Sequence, residues 1–313
     1  MSNYVFKRLL HLIFIAIGIT MLSFVLVNIS PVDPAEAYVR RSSPVANEVQ
    51  IAKVRAELGL DKPVYLQYWQ WVNKAVCFNF GKSLISGQPV AEEIRTVLPA
   101  TFILAGNAAI IIVITAIPLG ILSAVFKNQL FDHIIRGLTL AGISMPGFWL
   151  GFILLYCFAV KLKLVPVVGY GKIEHVLLPA ITLAVPIISL NVRLLRTNML
   201  ENMNKRFVLY AKARGIQDRR IVWKHVFRNA VSPLVTLFGQ TIGYMVAGTA
   251  IIESVFSWPG MGLYAVTAVM NRDLPAINAY VLIMSVVFVT SNFLADIINI
   301  FLNPAMLQEG EDT

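Results

Sequence analysis

The sequence predicts an all-α, polytopic membrane protein with six transmembrane helices, and three observations carry that prediction. Of its 313 residues 57% are apolar and only 14% are charged, whereas a soluble domain carries about 25% charged residues. Six runs free of Asp, Glu, Lys and Arg cover 9–32, 97–126, 137–160, 176–192, 229–252 and 274–295, and about 17 to 25 residues suffice to cross the hydrocarbon. The short loops between them divide into a basic and a nearly neutral set, as the positive-inside rule requires.

The first run follows Lys7 and Arg8 as a signal peptide would, but it is too long and no small-x-small cleavage site follows, so it is expected to stay as an anchor. Lys7, Arg8, Lys127, Arg136 and ten further basic residues from Arg193 to Arg228 share one face, against Lys161, Lys163, Lys172 and Arg272 on the other. Both termini are therefore expected in the cytoplasm. Four segments follow: 1–32, an N-terminal transmembrane anchor; 33–96, an external segment with short helices; 97–302, a five-helix transmembrane core with a cytoplasmic loop at about 199–230; and 303–313, a cytoplasmic tail. The fourth run is the weakest span. The net charge of +9 lies in the cytoplasmic loops, so it is accounted for by topology rather than by nucleic acid.

In the external segment, Asn47 is placed to cap a helix that stops at Gly59, and a second helix is expected from Pro63. Its rings Tyr65, Tyr68, Trp69 and Trp71 suit either the membrane-water boundary or packing of the cap onto the bundle. Ala116, Gly120 and Ala124 in the second span, and Gly239, Gly243 and Ala247 in the fifth, form ridges of small residues that let helices approach closely in lipid. Pro118, Pro146 and Pro186 lie within the second, third and fourth spans, where each removes a backbone hydrogen bond and is expected to kink its helix. Asp296 is the one clear ionisable group in a span, and near the cytoplasmic end it is read as pairing with a basic neighbour.

Enzyme chemistry finds no support. Gly81, Lys82 and Ser83 spell the end of a P-loop, but position 76 is Val and the segment is external. Thus no ATP site is expected in this chain. The four histidines are scattered, Cys77 and Cys157 are unpaired in pattern, and no metal cage, nucleophile-base pair or catalytic residue follows. A secondary carrier acting alone would show inverted repeats and intramembrane charges, whereas this sequence has no repeated half-motifs and no more than one buried acid.

The cytoplasmic loop is the informative feature. Asn204 is placed to cap a short helix through Phe207, Val208 and Ala211, Gly215 supplies a left-handed stop, and Asp218 is placed to cap a second helix leading to Asn229. Phe207, Leu209 and Tyr210 are more apolar than a solvated loop needs. An apolar patch rimmed by Arg and Lys fits a protein-docking knob, while a helix lying on anionic lipid would also accept the charges.

At this loop the sequence resembles permease subunits of the peptide and nickel group of binding-protein-dependent ABC importers. The residues are Ala211-Lys212-Ala213-Arg214-Gly215, then His225, Arg228-Asn229-Ala230 and Pro233. The wider superfamily's Glu-Ala-Ala opening is missing, since Leu209 and Tyr210 precede Ala211. Further matches run along the chain: Asp33-Pro34, Leu58-Gly59-Leu60-Asp61-Lys62-Pro63, Asn79-Phe80-Gly81, Leu98-Pro99-Ala100-Thr101, Ser144-Met145-Pro146, Leu178-Pro179-Ala180, Ile252-Glu253, Trp258-Pro259-Gly260-Met261-Gly262 and Asn303-Pro304. Within the group Gly169-Tyr170-Gly171, Arg193-Leu194-Leu195-Arg196 and Asn271-Arg272-Asp273 are most similar to nickel-import permeases.

The resemblance implies the type I ABC importer permease fold in a bacterial plasma (inner) membrane. It implies uptake of nickel, free or chelated, delivered by an extracytoplasmic substrate-binding protein, with dipeptide, oligopeptide or metallophore import as the alternative. The implied partners are a second, homologous permease forming a heterodimer, two ABC ATPase subunits that bind ATP and Mg, and membrane lipid, with no cofactor in this chain. Phe207, Tyr210, Ala211, Arg214, Gly215 and His225 then couple to the ATPase, while Asn107, Ser144, Gln240 and Glu253 are candidates for the translocation path or, equally, for polar contacts between helices.

Overall fold

The computed structural model describes residues 2–29, 33–42 and 47–302. In chain order the helices are α1 (Ser2–Ile29), α2 (Pro34–Ser42), α3 (Glu48–Glu57), α4 (Val64–Ala75), α5 (Val90–Val125), α6 (Leu130–Ser144), α7 (Gly147–Leu154), α8 (Ile173–Met203), α9 (Arg206–Ala213), α10 (Asp218–Ile221), α11 (Phe227–Ala230), α12 (Ser232–Gly248), α13 (Ala250–Val255), α14 (Met261–Met270) and α15 (Leu274–Leu302). π-Helical turns at Leu155–Lys161 and Val222–Val226 continue α7 and join α10 to α11. Among the described residues the only strand-like feature is an isolated antiparallel bridge between Lys82 and Pro89.

Among the described residues three helices are long and apolar enough to cross a membrane: Val90–Val125, Ile173–Met203 and Leu274–Leu294; α6 with the α7 segment makes a fourth if a bent pair counts as one span. The third expected span, 137–160, is thus not one helix: it turns by 107° between Ser144 and Gly147. Pro146 has no N–H to continue the ladder and excludes Met145 from the helical region, and Met145 accordingly sits extended at φ −80°, ψ 125°. Pro118 and Pro186, by contrast, lie within uninterrupted helices. The fifth expected span, 229–252, changes helix at Thr249, between α12 and α13.

The chain divides into two compact units, one of residues 1–101 and 259–289, the other of 102–258 and 290–313. In the first unit the turn chemistry follows the sequence closely. Asn47 accepts the Val49 N–H and Gln50 completes a capping box, while Gly59 at φ +69° ends α3. Pro63 takes the N-cap position of α4. That helix packs on α1 through rings rather than standing free: Phe24 meets Tyr68 edge-on with centroids 5.3 Å apart, Phe24 and Trp71 lie at 5.4 Å, and the Tyr68 and Thr20 hydroxyls share a hydrogen bond of 3.0 Å. Tyr65 and Trp69 remain exposed.

The buried link from the segment before α5 to the start of α15 is Ser83. Its hydroxyl donates to Asp273 Oδ2 at 2.5 Å and accepts the N–H groups of Ile85 and Ser86. Asp273 Oδ1 in turn accepts the Ala276 N–H in the first turn of α15, an N-cap of the ordinary kind. The chain reaches Asp273 through Arg272, left-handed at φ +57°, with Asp273 N bonded back to Ala268 O.

In the second unit α8 is the central helix, and small residues mark where its neighbours touch it. A Cβ on Gly120 of α5 would meet the Leu195 side chain, one on Gly142 of α6 would overlap the Ser189 hydroxyl, and one on Gly151 of α7 would press on Thr182 and on Phe256 beyond α13. Ala116, Gly120 and Ala124 are buried together, as the ridge predicts. Gly239 and Gly243 are also buried, while the side chains of Ala247 and Asp296, and the Asn303-Pro304 pair, lie outside the described residues.

Candidate functional site

The loop after α8 is a folded knob rather than a tether. Ile121 and Ala124 from the end of α5, Leu195 and Met199 from α8, Val208 and Ala211 from α9, and Ile221, Val226, Ala230 and Leu234 beyond it form one buried cluster. Apolar residues on one side of each short helix therefore fix the knob to the helix ends, since burying such a side chain contributes about 1.5–3 kcal/mol. Asn198 adds a polar tie, its Nδ2 donating to Ala230 O at 3.3 Å.

Two expected caps are corrected. Asn204 ends α8 at φ −91°, ψ −1°, and Lys205, extended at φ −77°, ψ 154°, occupies the N-cap of α9 without a side-chain capping bond. An N-cap needs extended backbone, which Asn204 does not have. Likewise Gln217 is the N-cap of α10 and Asp218 lies in its first turn, where a carboxylate still favours the helix dipole. Asp218 also reaches across the turn to Lys212, Oδ1 to Nζ 3.1 Å, an exposed pair of small energetic weight.

Gly215 is where the sequence expects it, left-handed at φ +74°. Its N–H donates to Lys212 O at 2.9 Å and Ile216 N to Ala211 O at 3.2 Å, the paired bonds of a Schellman stop, with Ile216 packed against the cluster that holds Ala211. Nothing lies within 4 Å of the place where a Cβ would be, so backbone conformation rather than space calls for glycine.

The candidate coupling residues separate into two layers. Ala211 is buried and Phe207 half-buried against the cluster; Tyr210, 66% exposed, Leu209 and Arg214 face outward. His225 is half-buried in the π-helical turn, and its carbonyl accepts Asn229 Nδ2 at 3.0 Å. Trp223 adds a further exposed ring, stacked edge-on against Phe227 at 5.7 Å.

The four path candidates do not share one environment. Asn107 and Ser144 donate to carbonyls one turn back on their own helices, Ile103 O and Leu140 O, and Ser144 lies at the bend before Pro146. Gln240 is exposed. Glu253 is fully buried, and its carbonyl accepts Trp258 N at 2.8 Å around Ser257, left-handed at φ +50°. Trp258 itself is buried edge-on against Tyr170 at 5.0 Å.

One buried constellation escaped the sequence analysis. Asp132, fully buried at the start of α6, takes both ends of the Arg196 guanidinium as well as the Ser123 hydroxyl and the Asn128 N–H. It ties the end of α5, the start of α6 and α8 together, and of these α5 and α8 supply the residues against which the knob packs. The available signal was a lone acid between Lys127 and Arg136 in an otherwise basic loop.

Residues 116–308 match the binding-protein-dependent transport system inner membrane component family, and residues 1–105 match the N-terminal region of the membrane component of such systems. The chain belongs to this family. The permease is 36% identical over 306 residues to the glutathione transport system permease protein GsiC of Escherichia coli strain K12, covering 98% of this chain and 99% of the relative. The same identity and coverage hold for the proteins of that name from Shigella dysenteriae serotype 1 and Salmonella choleraesuis. Among solved structures it resembles the MetNI methionine ABC transporter in its inward facing conformations, with a TM-score of 0.57 at 16% identity over 67% of this chain and 96% of that one. The permease thus has the type I ABC importer permease fold, is a multi-pass protein of a bacterial inner membrane, and is the translocating component of an importer that works with a binding protein and an ATPase.

Proposed function

We propose that this permease carries a small peptide, of the size and charge of glutathione, from an extracytoplasmic binding protein into the cytoplasm, and that the knob at 199–230 is the lever through which ATPase subunits move it. End-to-end similarity to glutathione permeases is the observation that carries the cargo. The shorter motifs that favoured nickel weigh less, because packing accounts for them: Tyr170 stacks on Trp258, a Cβ on Gly169 would overlap the His175 ring, and Arg196 holds Asp132. Peptide import, given above as the alternative, is therefore the better-supported reading.

On this reading ATP and Mg are bound by the partner ATPases, and a second, homologous permease completes the pathway. Outward-facing Tyr210, Leu209 and Arg214 seat the knob in an ATPase cleft, while Ala211 and Phe207 transmit the thrust to α5 and α8. Gly215 keeps the lever's shape and His225 stiffens its return. Asn107, Ser144, Gln240 and Glu253 remain candidates for the path.

The test is uptake of labelled glutathione, a dipeptide and nickel by cells with this chain deleted and restored. Loss of peptide or glutathione uptake, with nickel accumulation intact, is the expected result; loss of nickel alone would reverse the cargo assignment and leave the coupling mechanism in place.

A further inference from the structure

Helix α4 presents three distinct faces. Tyr68 and Trp71 turn to α1, where Trp71 lies against Phe24 and the Tyr68 hydroxyl is 3.0 Å from the Thr20 hydroxyl and 3.2 Å from Ile17 O. Gln67 and Gln70 turn to the preceding part of the external segment: Gln67 Nε2 donates to Lys62 O at 2.8 Å, and Lys62 Nζ donates to Gln70 Oε1 at 3.3 Å. At 3.6 residues per turn the side opposite these amides is a stripe of Tyr65, Trp69, Val72 and Val76, the last being the helical C-cap residue. Tyr65, Trp69 and Val76 are exposed, and the stripe carries no charge.

Depth and direction together say what covers that stripe. Ile17 and Thr20 stand near the middle of the apolar run 9–32, so a helix fastened to them by a tyrosine side chain reaches into the hydrocarbon layer, away from any water-borne partner. The apolar surface continues onto α1, where Met21, Leu22, Val25 and Leu26 are exposed. Direction agrees with depth. Gln67 is hydrogen-bonded to Leu60 O and Lys62 O, and Leu60 packs on the Ala35, Val39 and Ile51 core of the external segment. The stripe therefore faces away from that core, on the side where α1 enters the membrane. Helices that lie in the plane of a bilayer surface have this division into a polar and an apolar face, and Tyr and Trp rings settle where hydrocarbon meets headgroups.

We propose that α4 is a membrane-embedded helix of the external leaflet, its Tyr65, Trp69, Val72 and Val76 stripe seated among the upper acyl carbons of the lipid and its Gln67 and Gln70 face turned to the external segment. The four rings of α4 then divide by role: Tyr68 and Trp71 pack on α1, while Tyr65 and Trp69 meet lipid. The segment 33–96 is accordingly not wholly aqueous. Its middle helix is a floor that holds the short helices α2 and α3 at the membrane surface.

The experiment uses the full-length permease in vesicles of phosphatidylethanolamine and phosphatidylglycerol, with Cys77→Ser and Cys157→Ser removing the native thiols. A nitroxide is attached at Tyr65→Cys, at Trp69→Cys or, as the aqueous reference, at Val49→Cys on the exposed side of α3. Collisions with oxygen, which concentrates in lipid, and with chromium oxalate, which stays in water, are read at each site. The ratio of oxygen to chromium collisions should be severalfold higher at 65 and 69 than at 49. A ratio equal to that at 49 would make the stripe aqueous, and few collisions with either reagent would mean that protein, such as a second permease, covers it; each result overturns the proposal. Trp69→Phe, which keeps an aromatic ring, gives a label-free check: it should remove part of the quenching of tryptophan fluorescence by phospholipid brominated on its acyl chains, and unchanged quenching also overturns the proposal.

Discussion

Arg196 closes on both carboxylate oxygens of Asp132, Nε to Oδ1 at 2.8 Å and Nη2 to Oδ2 at 2.7 Å, across 64 residues of sequence. Asp132 is fully buried and the Arg196 side chain is 17% exposed. Such a pair adds little to stability relative to apolar residues of the same shape, but removing one partner strands the other charge. Asp132→Ala should therefore destabilise the permease by about 3–5 kcal/mol, measured by denaturant unfolding in detergent. Arg196→Lys should retain charge and lose the two-pronged geometry, giving an intermediate loss. Unchanged unfolding of Asp132→Ala would show that the clasp is not structural.

Gly215 tests the lever directly. Alanine at φ +74° should cost about 1–2 kcal/mol locally and slow uptake without abolishing it. Gly215→Pro fixes φ near −65° and removes the N–H that bonds to Lys212 O; uptake should cease although the protein reaches the membrane in normal amount. Normal transport by the proline variant would remove the lever from the mechanism.

Tyr210 separates docking from folding. Because its side chain is 66% exposed, Tyr210→Ala should change stability by no more than about 0.5 kcal/mol, yet reduce the ATPase recovered with the affinity-purified permease by severalfold. Val208→Asp, at a buried position one turn-face away, should instead lower the yield of folded protein. Full ATPase recovery with Tyr210→Ala would place the docking surface elsewhere.

Helix contact is tested by two glycines. Gly142 has Val185 Cγ1 at 3.3 Å from its would-be Cβ and the Ser189 hydroxyl in its way, whereas Gly106 has nothing within 4 Å. Gly142→Leu should push α6 off α8 and cost about 1–3 kcal/mol, while Gly106→Leu should be nearly neutral. Equal thermal stability of the two variants would contradict the packing described above.

Ser83→Ala removes the hydroxyl that donates to Asp273 and receives two backbone N–H groups. A hydrogen bond to a charged group contributes about 1.5–3 kcal/mol, and loss of that order should appear as increased proteolysis of the 82–90 segment, with α15 protected. Wild-type proteolysis would reduce the contact to a coincidence of packing.

Local chemistry was legible residue by residue. Gly59 was placed as a helix stop and Gly215 as a left-handed stop, and both are left-handed; Asn47 was placed as a cap and it caps. These succeed because a glycine stop or an Asx cap involves residues two to five apart, within reach of a pattern. The misplaced caps at Asn204 and Asp218 are each one residue off: α9 follows α8 so closely that Asn204 ends one helix while Lys205 caps the next, and at α10 Gln217 caps while Asp218 is the first helical residue.

By itself the sequence determined that this chain is a helical membrane protein, where its turns lie, and, through motifs spread over its whole length, the family to which it belongs. It could not determine that Asp132 finds Arg196, that Ser83 finds Asp273 across 190 residues, that the third apolar run bends by 107° where Pro118 and Pro186 leave their helices unbroken, or that Tyr210 faces out while Ala211 faces in. Composition and spacing report the solvent a segment meets and the geometry within a turn or two. Which polar group meets which, and which proline breaks a helix, depends on neighbours that only packing supplies: a freed backbone carbonyl or a buried carboxylate persists where another element satisfies or crowds it, and that element lies far away in the chain.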